Sequence, residues 1–88
     1  MQRIYKYPLQ VTDVQMVQMP IGAVILTAQN QNEVVTLWAM VEDKELIEFR
    51  AIHIFGTGHP IPEKYNGKYI ATVQAEGFVW HIFEPNKE

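Results

Sequence analysis

The stretch AVILTAQNQNEVVTLWAMVE, residues 23–42, decides the fold of this chain. Residues 23–29 and 34–42 are rich in β-branched and apolar side chains, and Asn30-Gln31-Asn32 joins them with asparagines that tolerate a left-handed backbone. The pattern therefore predicts an antiparallel β-hairpin. Both faces of the second run are largely apolar, which predicts a central strand covered on both sides.

Short β patterns separated by turn residues continue on both sides of this hairpin, about 8–12 residues apart. Thr12-Asp13-Val14-Gln15 also fits the start of a short helix, but Pro20 and Gly22 leave little room for one and favour a strand. Glu76-Gly77 is typical of a second tight hairpin. The remaining predicted strands are residues 3–7, 13–19, 46–55, 68–75 and 78–84, followed by a polar tail from Pro85 onward.

Antiparallel hairpins without a long helix predict an all-β fold. We expect one domain, residues 1–88, that forms a small antiparallel β-sandwich or a partly open barrel of about six or seven short strands. Aromatic and aliphatic residues are plentiful enough to fill one core.

Charge and composition narrow the classes of function. Seven Lys plus Arg against ten Asp plus Glu give a formal net charge of −3, which argues against general nucleic-acid binding. The absence of cysteine removes disulfides and thiolate nucleophiles and is typical of cytosolic proteins. The apolar runs are far shorter than the roughly 20 residues that span a bilayer, and the N-terminus lacks an export signal, so we expect a cytoplasmic protein.

The segment FGTGHPIP, residues 55–62, interrupts the strands with glycines, prolines, a hydroxyl and an imidazole. Gly56 and Gly58 permit positive φ, so successive N–H groups can form a concave nest for an anion. Thr57 and His59 lie beside this nest, and Arg50 is a candidate counter-charge. The alternative is a structural crossover between strands, in which the glycines only permit the bend.

Aromatic side chains supply a possible base-stacking surface, and stacking combined with an anion nest suits a nucleotide. Most such aromatics are core residues in small domains, so a purely structural role is the alternative. The predicted ligand site comprises Gly56, Thr57, Gly58, His59, Arg50, Trp38, Trp80 and His81.

No cofactor, metal site or catalytic residue is predicted. The spacing of His53, His59 and His81 matches no compact metal-binding motif. Acid–base catalysis by His59 or His81 with Glu63 or Glu84 requires a contact of roughly 3 Å that the sequence does not specify.

The last predicted strand has no polar face. Trp80 shares one face with Phe78 and Ile82, whereas His81 shares the other with Val79 and Phe83. Because such a strand must be covered on both sides, we expect a homo-oligomer.

Several segments that together span nearly the whole chain resemble a family of small proteins found mainly in tailed bacteriophage and prophage genomes. They are RIYKYP (3–8), TDVQ (12–15), MPIGA (19–23), LWA (37–39), IFGTGHPI (54–61), YIATVQ (69–74) and VWHIFE (79–84). The family carries no assigned activity, so the resemblance implies a context and no catalytic residues.

That context implies a phage accessory protein that acts by binding in the host cytoplasm. The leading hypothesis is that it counters antiviral defence by sequestering a small nucleotide immune signal. One alternative is an inhibitor that binds a host defence protein directly. The other is a small hydrolase or lyase that acts on a nucleotide.

Overall fold

The structure is a computed structural model that describes residues 1–86 and contains seven β-strands in that part of the chain. They are β1 (Gln2–Pro8), β2 (Val14–Pro20), β3 (Val24–Gln31), β4 (Val34–Glu42), β5 (Ile47–Gly56), β6 (Gly67–Ala75) and β7 (Phe78–Pro85). The all-β prediction is confirmed, and the segment after Thr12 is a strand rather than a helix. No helix long and apolar enough to cross a membrane occurs within residues 1–86.

The strands form two antiparallel sheets, with order β1-β4-β3 and β2-β5-β7-β6. Within the described residues the sheets do not close into a barrel, so the sandwich prediction is confirmed. As predicted, β4 is the central strand of its sheet. The predicted polar tail begins later than expected, because Pro85 belongs to β7 and the Asn86 N–H bonds the Asn66 carbonyl at 2.9 Å. Residues 87–88 lie outside the described part.

Both predicted hairpins are present, and both use two-residue turns with positive φ. Asn32 and Glu33 (φ 53° and 64°) connect β3 to β4, and Glu76 and Gly77 (φ 52° and 82°) connect β6 to β7. Positive φ at both central residues matches the right-handed twist of the flanking strands. The Glu33 carboxylate joins the two turns, since it accepts the Glu76 N–H at 2.7 Å.

The core lies between the two sheets. Leu37, Ile52 and Ile82 are completely buried, and they belong to β4, β5 and β7. Val73 of β6 and Met19 of β2 extend the buried layer along the four-stranded sheet. Because side chains alternate along a strand, the residues between these positions point away from the core.

We call the surface formed by those alternate residues of the four-stranded sheet the outer face. Its side chains come from all four strands, and cross-strand pairs such as Val14 with His53 and His53 with Phe83 place them side by side. Its members are Val14, Met16, Gln18 and Pro20 of β2, Ile47, Phe49, Ala51, His53 and Phe55 of β5, Gly67, Tyr69, Thr72 and Gln74 of β6, and Val79, His81, Phe83 and Pro85 of β7.

Candidate functional site

The segment between β5 and β6, residues 57–66, folds back over one end of the outer face. The Tyr65 ring is 5.3 Å from Phe55 and 5.8 Å from Phe83 in edge-to-face geometry, and 5.5 Å from His53 in a tilted arrangement. Such ring pairs contribute about 0.5–1.5 kcal/mol each beyond area burial. Tyr65 therefore anchors the connection to the sheet.

Tyr65 also makes a polar contact inside this cluster. Its hydroxyl lies 2.8 Å from His53 Nδ1. Burial raises the pKa of the Tyr65 phenol, so the hydroxyl keeps its proton at neutral pH and can donate to the imidazole nitrogen. The pair fixes the ring orientation of both side chains.

Two glycines make room for aromatic rings in this region. A Cβ atom at Gly67 would lie 2.5 Å from the Tyr65 ring, and one at Gly56 would lie 2.7 Å from His59 Nδ1. Gly58 has a different role, because its φ is 83° and a Cβ there would meet open space. Of the two loop glycines expected to permit positive φ, only Gly58 adopts it.

A pocket of about 490 Å³, which we call the tyrosine pocket, lies between this segment and the start of β2. Its volume falls in the usual range for small-molecule sites. Aromatic and proline surfaces form most of its wall, with a carboxylate, two imidazoles and a phenol as polar groups. The lining residues are Asp13, Val14, His53, Ile54, Phe55, His59, Pro60, Pro62 and Tyr65.

A smaller pocket of about 320 Å³, the tryptophan pocket, lies on the other side of His59. Phe78 and Trp80 line it with ring centroids 5.6 Å apart. Gly56, Thr57 and His59 form the opposite wall. The His59 imidazole therefore borders both pockets.

A chain of hydroxyl and imidazole groups runs beside the tryptophan pocket. Thr57 Oγ1 lies 2.7 Å from His81 Nε2, and Thr72 Oγ1 lies 3.1 Å from His81 Nδ1. A hydroxyl bonded to an imidazole is the first half of a nucleophile–base pair. Here the second nitrogen meets a neutral hydroxyl rather than the carboxylate that stabilises an imidazolium. The two contacts therefore hold the His81 ring in one orientation, but they do not make Thr57 an activated nucleophile.

A family model described as Domain of unknown function (DUF7352) matches residues 1–88. The chain belongs to this family. No curated protein and no solved structure matches the chain. Membership of the DUF7352 family confirms that the chain belongs to a domain family of unknown function, whereas the phage origin and the segments that carry the resemblance to phage proteins stay predictions.

The structure brings six of the eight predicted ligand residues together: Gly56, Thr57, Gly58, His59, Trp80 and His81. It separates Arg50 from them. Arg50 lies six positions before Gly56 on β5, which is about 20 Å along an extended strand. Its guanidinium donates to Glu84 Oε1 at 3.0 Å and to the Ala23 carbonyl at 2.9 Å, and the Glu84 hydrogen bond is the main cause of its raised pKa.

Trp38 is also separated from the loop. It lies on β4, where Leu37 and Ala39 point into the core, so its indole is on the outer side of the three-stranded sheet. The tyrosine pocket is on the outer side of the other sheet. The sandwich core therefore stands between Trp38 and the pocket.

The loop amides are largely used within the protein. The Thr57 N–H bonds the Val79 carbonyl at 3.4 Å, and the His59 N–H bonds the Gly56 carbonyl at 3.1 Å. Within residues 1–86, no Lys or Arg lines either pocket. The geometry favours contact with a flat ring more than a cradle for a phosphate.

Four residues that line the tyrosine pocket are missing from the site predicted from the sequence: Asp13, His53, Phe55 and Tyr65. Alternation along residues 46–55 already places His53 and Phe55 on one face, but only the fold shows that Tyr65 returns to that face. In the described part of the chain, no three His, Asp or Glu side chains are grouped so that they could hold a metal ion.

Proposed function

We propose that this protein acts by binding and that the tyrosine pocket receives the base of a small nucleotide. The supporting observation is the composition of the pocket wall, where the rings of Phe55 and Tyr65 stand beside the polar groups of His53, His59 and Asp13. A nucleobase has two apolar faces and a polar edge. Aromatic walls with a few polar groups complement that shape.

The chemistry of the pocket predicts that the base contributes more to the binding affinity than the phosphates do. Stacking on an aromatic side chain contributes about 1–3 kcal/mol per base. The Asp13 carboxylate accepts hydrogen bonds, which suits an exocyclic amine, and an imidazole nitrogen donates or accepts as its tautomer allows. Because no Lys or Arg lines the pocket within residues 1–86, we expect affinity to change little with the number of phosphates.

The resemblance to phage proteins suggests the biological use of this binding. A protein that holds a nucleotide signal without consuming it lowers the free concentration of that signal in the host cytoplasm. We propose sequestration of a nucleotide immune signal as the function. The contact between Thr57 and His81 supports the second candidate, a small hydrolase or lyase, because it pairs a hydroxyl with a potential base.

A thermal-shift screen tests the proposal with cyclic dinucleotides, ADP-ribose derivatives and the parent nucleosides. A ligand at 100 times its Kd stabilises by about 2.7 kcal/mol, which raises the Tm of a domain of this size by roughly 10–20 °C. Asp13→Asn should reduce the shift, while Phe78→Ala in the neighbouring pocket should preserve it.

The same samples distinguish the candidates. Intact ligand recovered by mass analysis supports sequestration, whereas altered ligand that stays intact with Thr57→Val supports the enzyme. Absence of a shift with every nucleoside and nucleotide contradicts both nucleotide functions and favours a host defence protein as the target.

A further inference from the structure

The outer face extends well beyond the tyrosine pocket. At its other end Met16, Ile47 and Phe49 are 58%, 55% and 60% exposed, respectively. Ala51 and Gln18 lie between and beside them, since Met16 pairs with Ala51 and Gln18 with Phe49 across β2 and β5. We call these five residues the Phe49 patch.

Around this patch, the charged side chains of β5 lie on the core side and the apolar side chains face outward. Glu48 and Arg50 alternate with Ile47, Phe49 and Ala51, so they lie on the core side of the sheet. There Arg50 pairs with Glu84, and Glu48 accepts the Gly22 N–H at 3.1 Å. In a sheet with one face in water, charged side chains normally lie on the solvent side and phenylalanine on the core side.

Charged side chains are absent from the whole outer face as defined above, in a chain with seven basic and ten acidic residues. Depletion of charge together with exposed aromatic and methionine side chains is characteristic of the centre of a protein–protein interface. The surface therefore has the composition of an interface rather than of a solvated sheet.

We propose that the Phe49 patch is a homodimer interface in which the four-stranded sheets of two copies pack face to face. The two-fold axis passes between Phe49 and Ala51, which are adjacent on the same face of β5. Each Phe49 then lies over Ala51 of the second copy. A large side chain opposite a small one allows sheets to approach to the usual distance of about 10 Å.

Two observations favour a second copy as the occupant. Together with Val14 and Tyr69, which are exposed in the His53 row of the same face, the patch presents apolar surface on the order of 600 Å², most of the roughly 800 Å² that each partner contributes to a stable interface. The neighbouring large and small residues are also complementary to themselves under two-fold symmetry. The tyrosine pocket shares only Val14 with this surface, and the argument for the interface makes no use of nucleotide binding.

Light scattering on the full chain tests the interface. At about 10 µM, well above the Kd usual for interfaces of this size, the mass should be twice 10.2 kDa. Phe49→Ala and Ala51→Phe should each raise the dimer Kd by about 100-fold or more. The double variant Phe49→Ala/Ala51→Phe exchanges large and small residues and should restore the dimer.

Ile4→Ala is the matched control, because Ile4 is 61% exposed on β1 in the other sheet and should leave the dimer unchanged. Circular dichroism should show the same fold for all variants, since the substituted side chains are outside the core. A wild-type monomer at this concentration would overturn the proposal and leave another protein as the occupant. So would single variants that remain dimeric, or a double variant that stays monomeric.

Discussion

Replacing Gly67 with alanine should dislodge Tyr65 from the outer face. The added Cβ would lie 2.5 Å from Tyr65 Cε2 and 2.8 Å from the ring carbon Cζ and the hydroxyl oxygen. Gly67 does not have positive φ, so alanine is compatible with the backbone there. His53, Phe55 and Phe83 surround the ring, which leaves it no direction of escape except outward into solvent.

The cost follows from the contacts that Tyr65 loses. Removing a half-buried aromatic ring from its site sacrifices about 1–2 kcal/mol of apolar burial, and its ring pairs add roughly 0.5–1.5 kcal/mol each. The alanine offsets about 0.4–1 kcal/mol by reducing the entropy of the unfolded chain. With two edge-to-face pairs, to Phe55 and Phe83, we expect a net loss of about 1–5 kcal/mol in the free energy of unfolding, or a Tm lower by roughly 5–40 °C.

A double-mutant cycle measured by urea unfolding tests this cause. Tyr65→Ala alone should cost about as much as Gly67→Ala, and Gly67→Ala made in the Tyr65→Ala protein should cost nothing or stabilise slightly. Equal costs of Gly67→Ala in both backgrounds would refute the steric argument. Gly67→Ala should also abolish any nucleotide-induced thermal shift, because Tyr65 forms a wall of the tyrosine pocket.

Gly58→Ala should lower the free energy of unfolding by about 1–2 kcal/mol, because alanine is strained at the positive φ of this position. A lower Tm with unchanged ligand affinity would show that Gly58 acts through the backbone and not through the ligand site. Leu37→Ala should cost about 2–5 kcal/mol in urea unfolding, whereas Trp38→Ala should cost less, since Leu37 is fully buried and Trp38 is half-buried outside the core clusters. The Glu76 N–H lowers the pKa of Glu33 below its ordinary 4.5, so its stabilisation is present above about pH 4.5 and is lost as the pH falls through the folded-state pKa. The stability of Glu33→Gln should therefore depend less on pH in this range than that of the wild type. An acid unfolding transition identical to that of the wild type would contradict this prediction.

Most of the fold could be predicted from the sequence because the signals are local. Alternation with a period of two identifies all seven strands, and Glu76-Gly77 identifies the second hairpin turn. The first turn is centred on Asn32 and Glu33 rather than on Gln31, since composition indicates a turn more reliably than its register. The assignment of strands to two sheets depends on pairings between distant segments, which no local pattern specifies.

Only the part of the candidate site that is contiguous in the chain could be predicted from the sequence. Gly56 to His59 are contiguous, and their unusual composition is visible in the sequence. His81 joins them through a cross-strand pair with Phe55, which the two separate strand patterns cannot reveal. The sequence makes Arg50 a candidate counter-charge for the loop, but the structure places it on the core side of β5 in an ion pair with Glu84.

The register of β5 explains why its aromatic side chains lie on the outer face. Shifting β5 by one residue would bury Phe49 and expose Arg50, but it would also turn Ile52 and Ile54 out of the core. Two buried isoleucines and the bond from Arg50 to Glu84 hold the observed register against that exchange. The aromatic and imidazole side chains of the outer face are exposed as a consequence. Because Phe49 is outside both core clusters, its side chain is available for association without being needed for folding.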